Sequence, residues 1–312
     1  MSTLATTPAS ERSTGNPPPV PSARAAPVRQ DSATAQPKWL LLPREHGAWG
    51  MVSLPFLAAA LIAPGPVWSL RTGASLLAVF SLFLLRDPLV RLLCSTPPSI
   101  GQDGSVPLSL VIRPLWLPLG GLAISGSFLL LTLPVAWVVL LGAGGLALAF
   151  CSVVIARQRI QREIAAQLLG VAGLTASSLP AYLAGRGELD WMAAAIWTIS
   201  AAHSAASVLV VRARLEAILS SRRGNQSRRF FRSAVGWQAG QWSGLAALAL
   251  SGYPALTIPF LLPGALHAWE LWQFRSGNPR PLSMHQVGWI QLIASASFYA
   301  LLVPIMRLVW NA

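Results

Sequence analysis

Charge is what this sequence has least of. Only 11% of its 312 residues are Asp, Glu, Lys or Arg, where a soluble globular chain carries about 25%. So few charges cannot cover the water-facing surface of a chain this long, which excludes a soluble enzyme. Acids are scarcer than bases, 10 against 23, and the formal net charge is +13. That balance alone would suit nucleic acid, but a basic face needs a soluble fold to carry it. Cysteine is almost missing: Cys94 and Cys151 stand far apart and signal neither a disulfide framework nor a cysteine metal site. The first 37 residues lack the apolar run of about 7–15 residues that marks a secretory signal.

What the chain does have is apolar sequence, 54% of the total. Residues 1–37 are different in kind, rich in Pro, Ser, Thr and Ala, and are expected to form a disordered cytoplasmic tail. Residues 38–312 are expected to form a single transmembrane helical domain. Stretches of about 20 apolar residues, the length that crosses hydrocarbon as a helix, recur nine times. They fall near 46–63, 67–85, 114–132, 134–155, 164–184, 191–211, 236–251, 253–273 and 287–309. The seventh is the weakest, because Gln238 and Gln241 interrupt it.

Basic residues test that count. With the N-terminus inside, 20 of the 23 Lys and Arg fall in the tail and the inside loops, and only Arg71, Arg186 and Arg307 fall outside. One helix too many or too few would scramble this partition. The expected fold is therefore an all-α polytopic transmembrane helix bundle of about nine helices. Its basic excess is explained by topology and by anionic lipid headgroups, with no nucleic acid partner.

Ionisable groups at membrane depth need a partner or a watery cavity. Arg44, Glu45 and His46 open the first helix, Arg86 and Asp87 close the second, and Arg162 and Glu163 open the fifth. Arg212 and Arg214 close the sixth, and His267 and Glu270 occupy the last turns of the eighth. All of these ends fall on the inside face. On the sixth helix Ser200, His203, Ser204, Ser207 and Arg214 share one stripe by i, i+3/i+4 spacing. His203 lies about 12 Å from the inner end at 1.5 Å per residue. The candidate acid/base groups are His46, His203 and Glu270. The candidate binding groups are Arg44, Glu45, Arg86, Asp87, Arg162, Glu163, Arg212, Arg214 and His267. Each has a structural reading beside the functional one. Arginines at helix ends snorkel to phosphates, Glu163 is a helix N-terminal acid, and His203 is a histidine bonded to a neighbouring helix. No two histidines stand at i, i+4 to suggest a metal or haem, and the residues name no cofactor.

Four segments carry a family resemblance. Arg44-Glu-His-Gly-Ala-Trp-Gly-Met51 with Pro55-Phe56, then Arg86-Asp-Pro-Leu89, Arg162-Glu-Ile-Ala-Ala-Gln-Leu-Leu-Gly170 and Val211-Arg-Ala-Arg214 resemble the YwiC-like family of bacterial membrane proteins. The resemblance implies a multi-pass protein of the bacterial cytoplasmic (inner) membrane and brings no reaction with it. In topology the chain is more loosely similar to UbiA-type intramembrane prenyltransferases. Those have nine helices and a cytoplasm-facing cavity lined from the loops after helices two and six. They hold magnesium and diphosphate on two aspartate-rich motifs, whereas this chain offers Arg86-Asp87-Pro88 and Arg212-Ala-Arg214-Leu-Glu216. A shared scaffold would then imply arginines that bind an anionic headgroup directly.

Two functions follow as expectations. One is a lipid- or isoprenoid-handling enzyme, or a degenerate UbiA-like relative, with an anionic lipid headgroup or isoprenoid-type ligand among the arginines. The other is a small-molecule or proton-coupled transporter, in which His203, His267 and Glu270 relay protons. Groups converging on one cavity closed to the outside favour the first, and a polar path continuing to the outer face near Glu188 and Asp190 favours the second.

Overall fold

Hydrocarbon offers no water to backbone N–H and C=O groups, so an apolar segment must close its own hydrogen bonds as a helix. The computed structural model describes residues 46–94, 108–160, 163–223, 228–276 and 282–311. In chain order the helices are α1 (His46–Ile62), α2 (Leu70–Cys94), α3 (Leu108–Thr132), α4 (Val135–Arg157), α5 (Ile164–Thr175) and α6 (Ser178–Arg186). They continue with α7 (Trp191–Arg223), α8 (Arg229–Leu250), α9 (Ile258–Arg275) and α10 (Met284–Asn311), and a 3₁₀ turn at Pro254–Thr257 leads into α9. The helical class and the multi-pass arrangement are as the hydropathy pattern predicts. The tail at 1–37 lies outside the described residues.

The nine expected crossings appear as ten helices among the described residues because the fifth is broken. Pro180 lacks the N–H that would bond the Ala176 carbonyl, so α5 stops and α6 restarts. Ser178 Oγ donates to the Thr175 carbonyl at 2.9 Å, and Ser177 Oγ donates across to the Val52 carbonyl on α1 at 2.7 Å. The Ser178 hydroxyl thus takes over a carbonyl at the break, and the Ser177 hydroxyl ties the break to α1.

Several boundaries differ from the sequence expectation, the starts of α3 at Leu108 and α8 at Arg229 among them, and two matter for the site. The second helix runs through Pro88 to Cys94 instead of ending at 85, and the sixth crossing, α7, runs to Arg223 instead of 211. The reason is the same in both cases. Hydropathy marks where the apolar slab ends, while Ala, Leu, Arg and Glu keep a helix going beyond it. Arg212 and Arg214 therefore stand on a helix and not in a loop, and α8 begins at Arg229.

The core sits where α1, α6, α7 and α10 meet: Phe56, Ala59, Ala63, Tyr182, Met192, Ile196, Phe298, Leu302 and Met306 are buried together. Close packing here depends on glycine. A methyl group on Gly185 would lie 2.6 Å from the Ala63 Cβ, and one on Gly65 would strike the Gly185 carbonyl. The α6–α7 turn uses Gly187 at φ +88°, whose N–H bonds the Leu183 carbonyl at 2.7 Å. Asp190 then caps α7, accepting from the backbone N–H of Met192 at 2.9 Å and of Ala193 at 3.2 Å. Its other oxygen pairs with Arg186 at 3.0 Å and accepts from the Tyr182 hydroxyl at 3.2 Å.

α3 and α4 form the periphery. Leu117, Ile124, Leu131, Val139, Leu140, Leu146 and Phe150 are exposed along them, as side chains facing lipid should be. Six crossings are long and apolar enough to span a membrane, and α1 is a shorter apolar helix. α8 and α9 fall short of that hydropathy, and their polar residues explain why.

Candidate functional site

A polar side chain taken into a bundle core must find a partner or leave a donor or acceptor unmet. α7, α8, α9 and α10 each bring several. Along one face of α7 stand Ser200, His203, Ser204, Ser207 and Arg214, all buried, a stripe about 21 Å long at 1.5 Å per residue. α9 contributes His267, Glu270 and Gln273, α8 contributes Gln238, and all four are buried. α10 faces them with Gln291, Ser295 and Tyr299, spaced four apart on one face.

These residues form a ladder. At its middle, His267 touches three helices. Its Nδ1 accepts from the Gln238 amide nitrogen at 3.1 Å, and its Nε2 donates to Gln291 Oε1 at 3.2 Å, with Ser207 Oγ at 3.4 Å. That pattern is a neutral imidazole with its proton on Nε2. Protonation of Nδ1 would require the Gln238 amide to turn and present its oxygen, which has no partner in this arrangement. One step deeper, His203 Nε2 bonds Ser295 Oγ at 3.1 Å, and the ring stacks on Phe298 with centroids 4.0 Å apart and planes 6° from parallel. His203 Nδ1 has no partner. The Tyr299 hydroxyl lies beside Ser200 and Ser204 without reaching hydrogen-bond geometry to either.

At the other end of the ladder are Arg214 and Glu270, each 2% exposed. They stand on α7 and α9, which pack against each other. Even so, the ion pairs among the described residues are those of Arg186 with Glu188 and Asp190, and of Arg229 with Glu163. Arg214 Nε and Nη1, Glu270 Oε2 and Gln273 Oε1 lack hydrogen-bond partners. The Phe274 ring lies 5.5 Å from the Arg214 guanidinium carbon, a cation–π contact that offsets part of the lost hydration. Beyond His203, the ladder ends against the apolar core. Phe260 packs edge-on to Phe298 at 4.9 Å, and Ile196, Leu302 and Met306 are buried behind them.

The sequence candidates divide accordingly. His203, Arg214, His267 and Glu270 are brought together. Arg212 is two residues from Arg214, so it points away from that stripe, and it is half-buried. Arg86 is exposed and Asp87 half-buried on α2, which packs mainly on α3, α4 and α6. The expectation that the ends of the second and sixth crossings share one site is therefore corrected. Glu163 is an exposed N-cap of α5 bridged to Arg229 on α8, and that hydrogen-bonded guanidinium holds its carboxyl below the ordinary value of 4.5. Glu216 is likewise structural. Its two oxygens accept from the backbone N–H groups of Arg229, Phe230 and Phe231 at 2.9–3.2 Å, closing the start of α8. Arg44, Glu45 and Arg162 lie outside the described residues, and His46 is placed only as the first residue of α1.

Sequence reading missed Ser295, Gln273, Phe274 and Phe298. The four-residue spacing of Gln291, Ser295 and Tyr299 was the signal for the first; nothing in the local pattern singles out the others. Among the described residues no group of three or more His, Cys, Asp or Glu is placed to hold a metal ion. The one acid of α2 stands away from Glu270, so these residues do not fit a UbiA-type magnesium cage.

Residues 42–184 match the family model described as YwiC-like protein. No curated protein and no solved structure matches the chain. The matched stretch covers α1 to α6 up to Ala184, whereas the buried ladder is built from α7 to α10.

Proposed function

We propose that this YwiC-like multi-pass membrane protein is a lipid- or isoprenoid-handling enzyme that works on the polar head of an amphiphilic ligand within α7 to α10. The observation that carries the reading is the buried ladder itself: charged and polar atoms at one end without partners, and an apolar stop at the other. Unmet buried donors and acceptors are where a ligand gains most by binding. In this reading Arg214 binds the anionic part of the head. Glu270, His267 and His203 are the proton-transfer groups, and the Gln238 amide turns to follow the charge on His267. In this reading the Arg214–Glu270 end of the ladder faces the cytoplasm, which the positive-inside bias of the basic residues supports. A headgroup held jointly by Arg86 and Arg214 is not part of the reading, because α2 packs elsewhere. A permease would need a polar route from His203 to the rim at Asp190; the His203 ring is stacked on Phe298, which is buried with Phe260, Ile196 and Met306, and this disfavours the transport reading.

Mass spectrometry of species that co-purify with the detergent-extracted protein tests this. A bound amphiphile is expected with the natural chain and with Arg86→Ala, and at least tenfold less with the double variant His203→Ala, Arg214→Ala. The same species at the same occupancy in the double variant would reject the site. Equal thermal midpoints across the set exclude misfolding as the cause.

A further inference from the structure

Arg214 and Glu270 pose a specific problem. Both are almost fully buried, Arg214 stands against Phe274 one turn of α9 from Glu270, and no direct ion pair joins them. Two opposite charges removed from water attract strongly. Each still has unmet capacity: Nε and Nη1 on the guanidinium, and Oε2 on the carboxylate. A guanidinium only donates and an ionised carboxylate only accepts. Neighbouring amides can rotate to serve either need, but a guanidinium cannot, nor can a carboxylate while it is ionised.

A simple anion fits only half of this arrangement. It would satisfy Arg214 and stand near the Glu270 carboxylate with little water to screen the repulsion. A simple cation fails at Arg214 for the same reason. The group that satisfies both ends has an anionic oxygen at one end and a charged N–H donor at the other, a few bonds apart. Gln273 Oε1 and Gln238 Oε1, also without partners, add acceptors for further N–H donors.

We infer that Arg214 and Glu270 together form a site for a zwitterionic head, with an anionic phosphate or carboxylate oxygen on Arg214 and an ammonium group on Glu270. This rests on the headgroup-binding reading above and narrows it to one chemical class. The same chemistry comes from a phosphoethanolamine-type lipid or from its free, water-soluble head.

Calorimetry on the detergent-purified full chain tests the inference with three soluble probes: O-phosphoethanolamine, glycerol phosphate as anion alone, and ethanolamine as cation alone. Phosphoethanolamine is expected to bind at least tenfold more tightly than either. Glu270→Gln should bring glycerol phosphate level with it, and Arg214→Gln should weaken both phosphates at least tenfold. Nanodiscs of phosphatidylethanolamine against phosphatidylglycerol separate the sources. A preference for phosphatidylethanolamine without binding of the soluble head identifies the lipid, and equal binding of the soluble head identifies the free form; either supports the site. Glycerol phosphate binding as tightly as phosphoethanolamine would overturn the zwitterion inference and leave the headgroup reading standing. Failure of every probe, soluble and lipid, would overturn both. The ranking on the natural chain decides the matter even if a variant does not fold.

Discussion

His267 shows how a single residue can be held by its surroundings and remain able to change. Its two nitrogens are committed to Gln238 on one side and to Gln291 and Ser207 on the other, so the neutral ring is fully used. Removing the Gln238 amide leaves Nδ1 as a buried acceptor without a donor, which costs about 1–3 kcal/mol. Gln238→Leu is therefore expected to lower stability by that order in a detergent unfolding titration. The double variant Gln238→Leu, His267→Ala should cost less than the two single changes added together, because the orphaned nitrogen is then gone. Strict additivity would mean that the two side chains do not interact. The four clustered candidates were readable from sequence because each is an ionisable group at helical spacing in an apolar run. Gln273 and Phe274 were not, since their role depends on which face of α9 meets α7.

Among the elements, hydropathy and function pull in opposite directions. α8 and α9 fall short of a membrane span in hydropathy, whereas α1 is apolar but short, and α8 and α9 supply Gln238, His267, Glu270 and Gln273. Such helices are stable inside a bundle because their neighbours meet the polar groups that lipid could not. Close approach matters equally on the other side of the molecule. Gly185→Ala would press a methyl group against Ala63, an overpacking that costs about 1–3 kcal/mol. Gly120→Ala on α3, with nothing within 4 Å, is the matched control and is expected to change stability little or to raise it slightly through helix propensity. Thermal midpoints in one detergent compare the two, and equal midpoints would mean that α1 and α6 are not in tight contact.

For the whole molecule, the open question is which side is which. If each crossing reverses direction, Gln158 after α4 and Glu188 after α6 lie on opposite faces, with Gln158 on the arginine-rich side. In a chain with Cys94→Ala and Cys151→Ala, a membrane-impermeant thiol reagent added to intact cells is expected to label Glu188→Cys. It should label Gln158→Cys only after the membrane is opened. Labelling in the reverse order would place Arg214 and Glu270 toward the exterior and remove the cytoplasmic side from the proposed function.

The amino-acid sequence by itself determined that this chain is a multi-pass helical membrane protein and which titratable side chains stand on which helix. Those properties follow from composition, from the length an apolar run needs, and from 3.6-residue spacing, all of which are local. Only the tertiary structure decided that Arg86 and Asp87 stand with α3, α4 and α6, while His203, Arg214, His267 and Glu270 share one polar interior. Helices of similar apolarity have no hydrophobic preference for one another in lipid, so their pairing is settled by side-chain fit and hydrogen bonding between segments far apart in the chain.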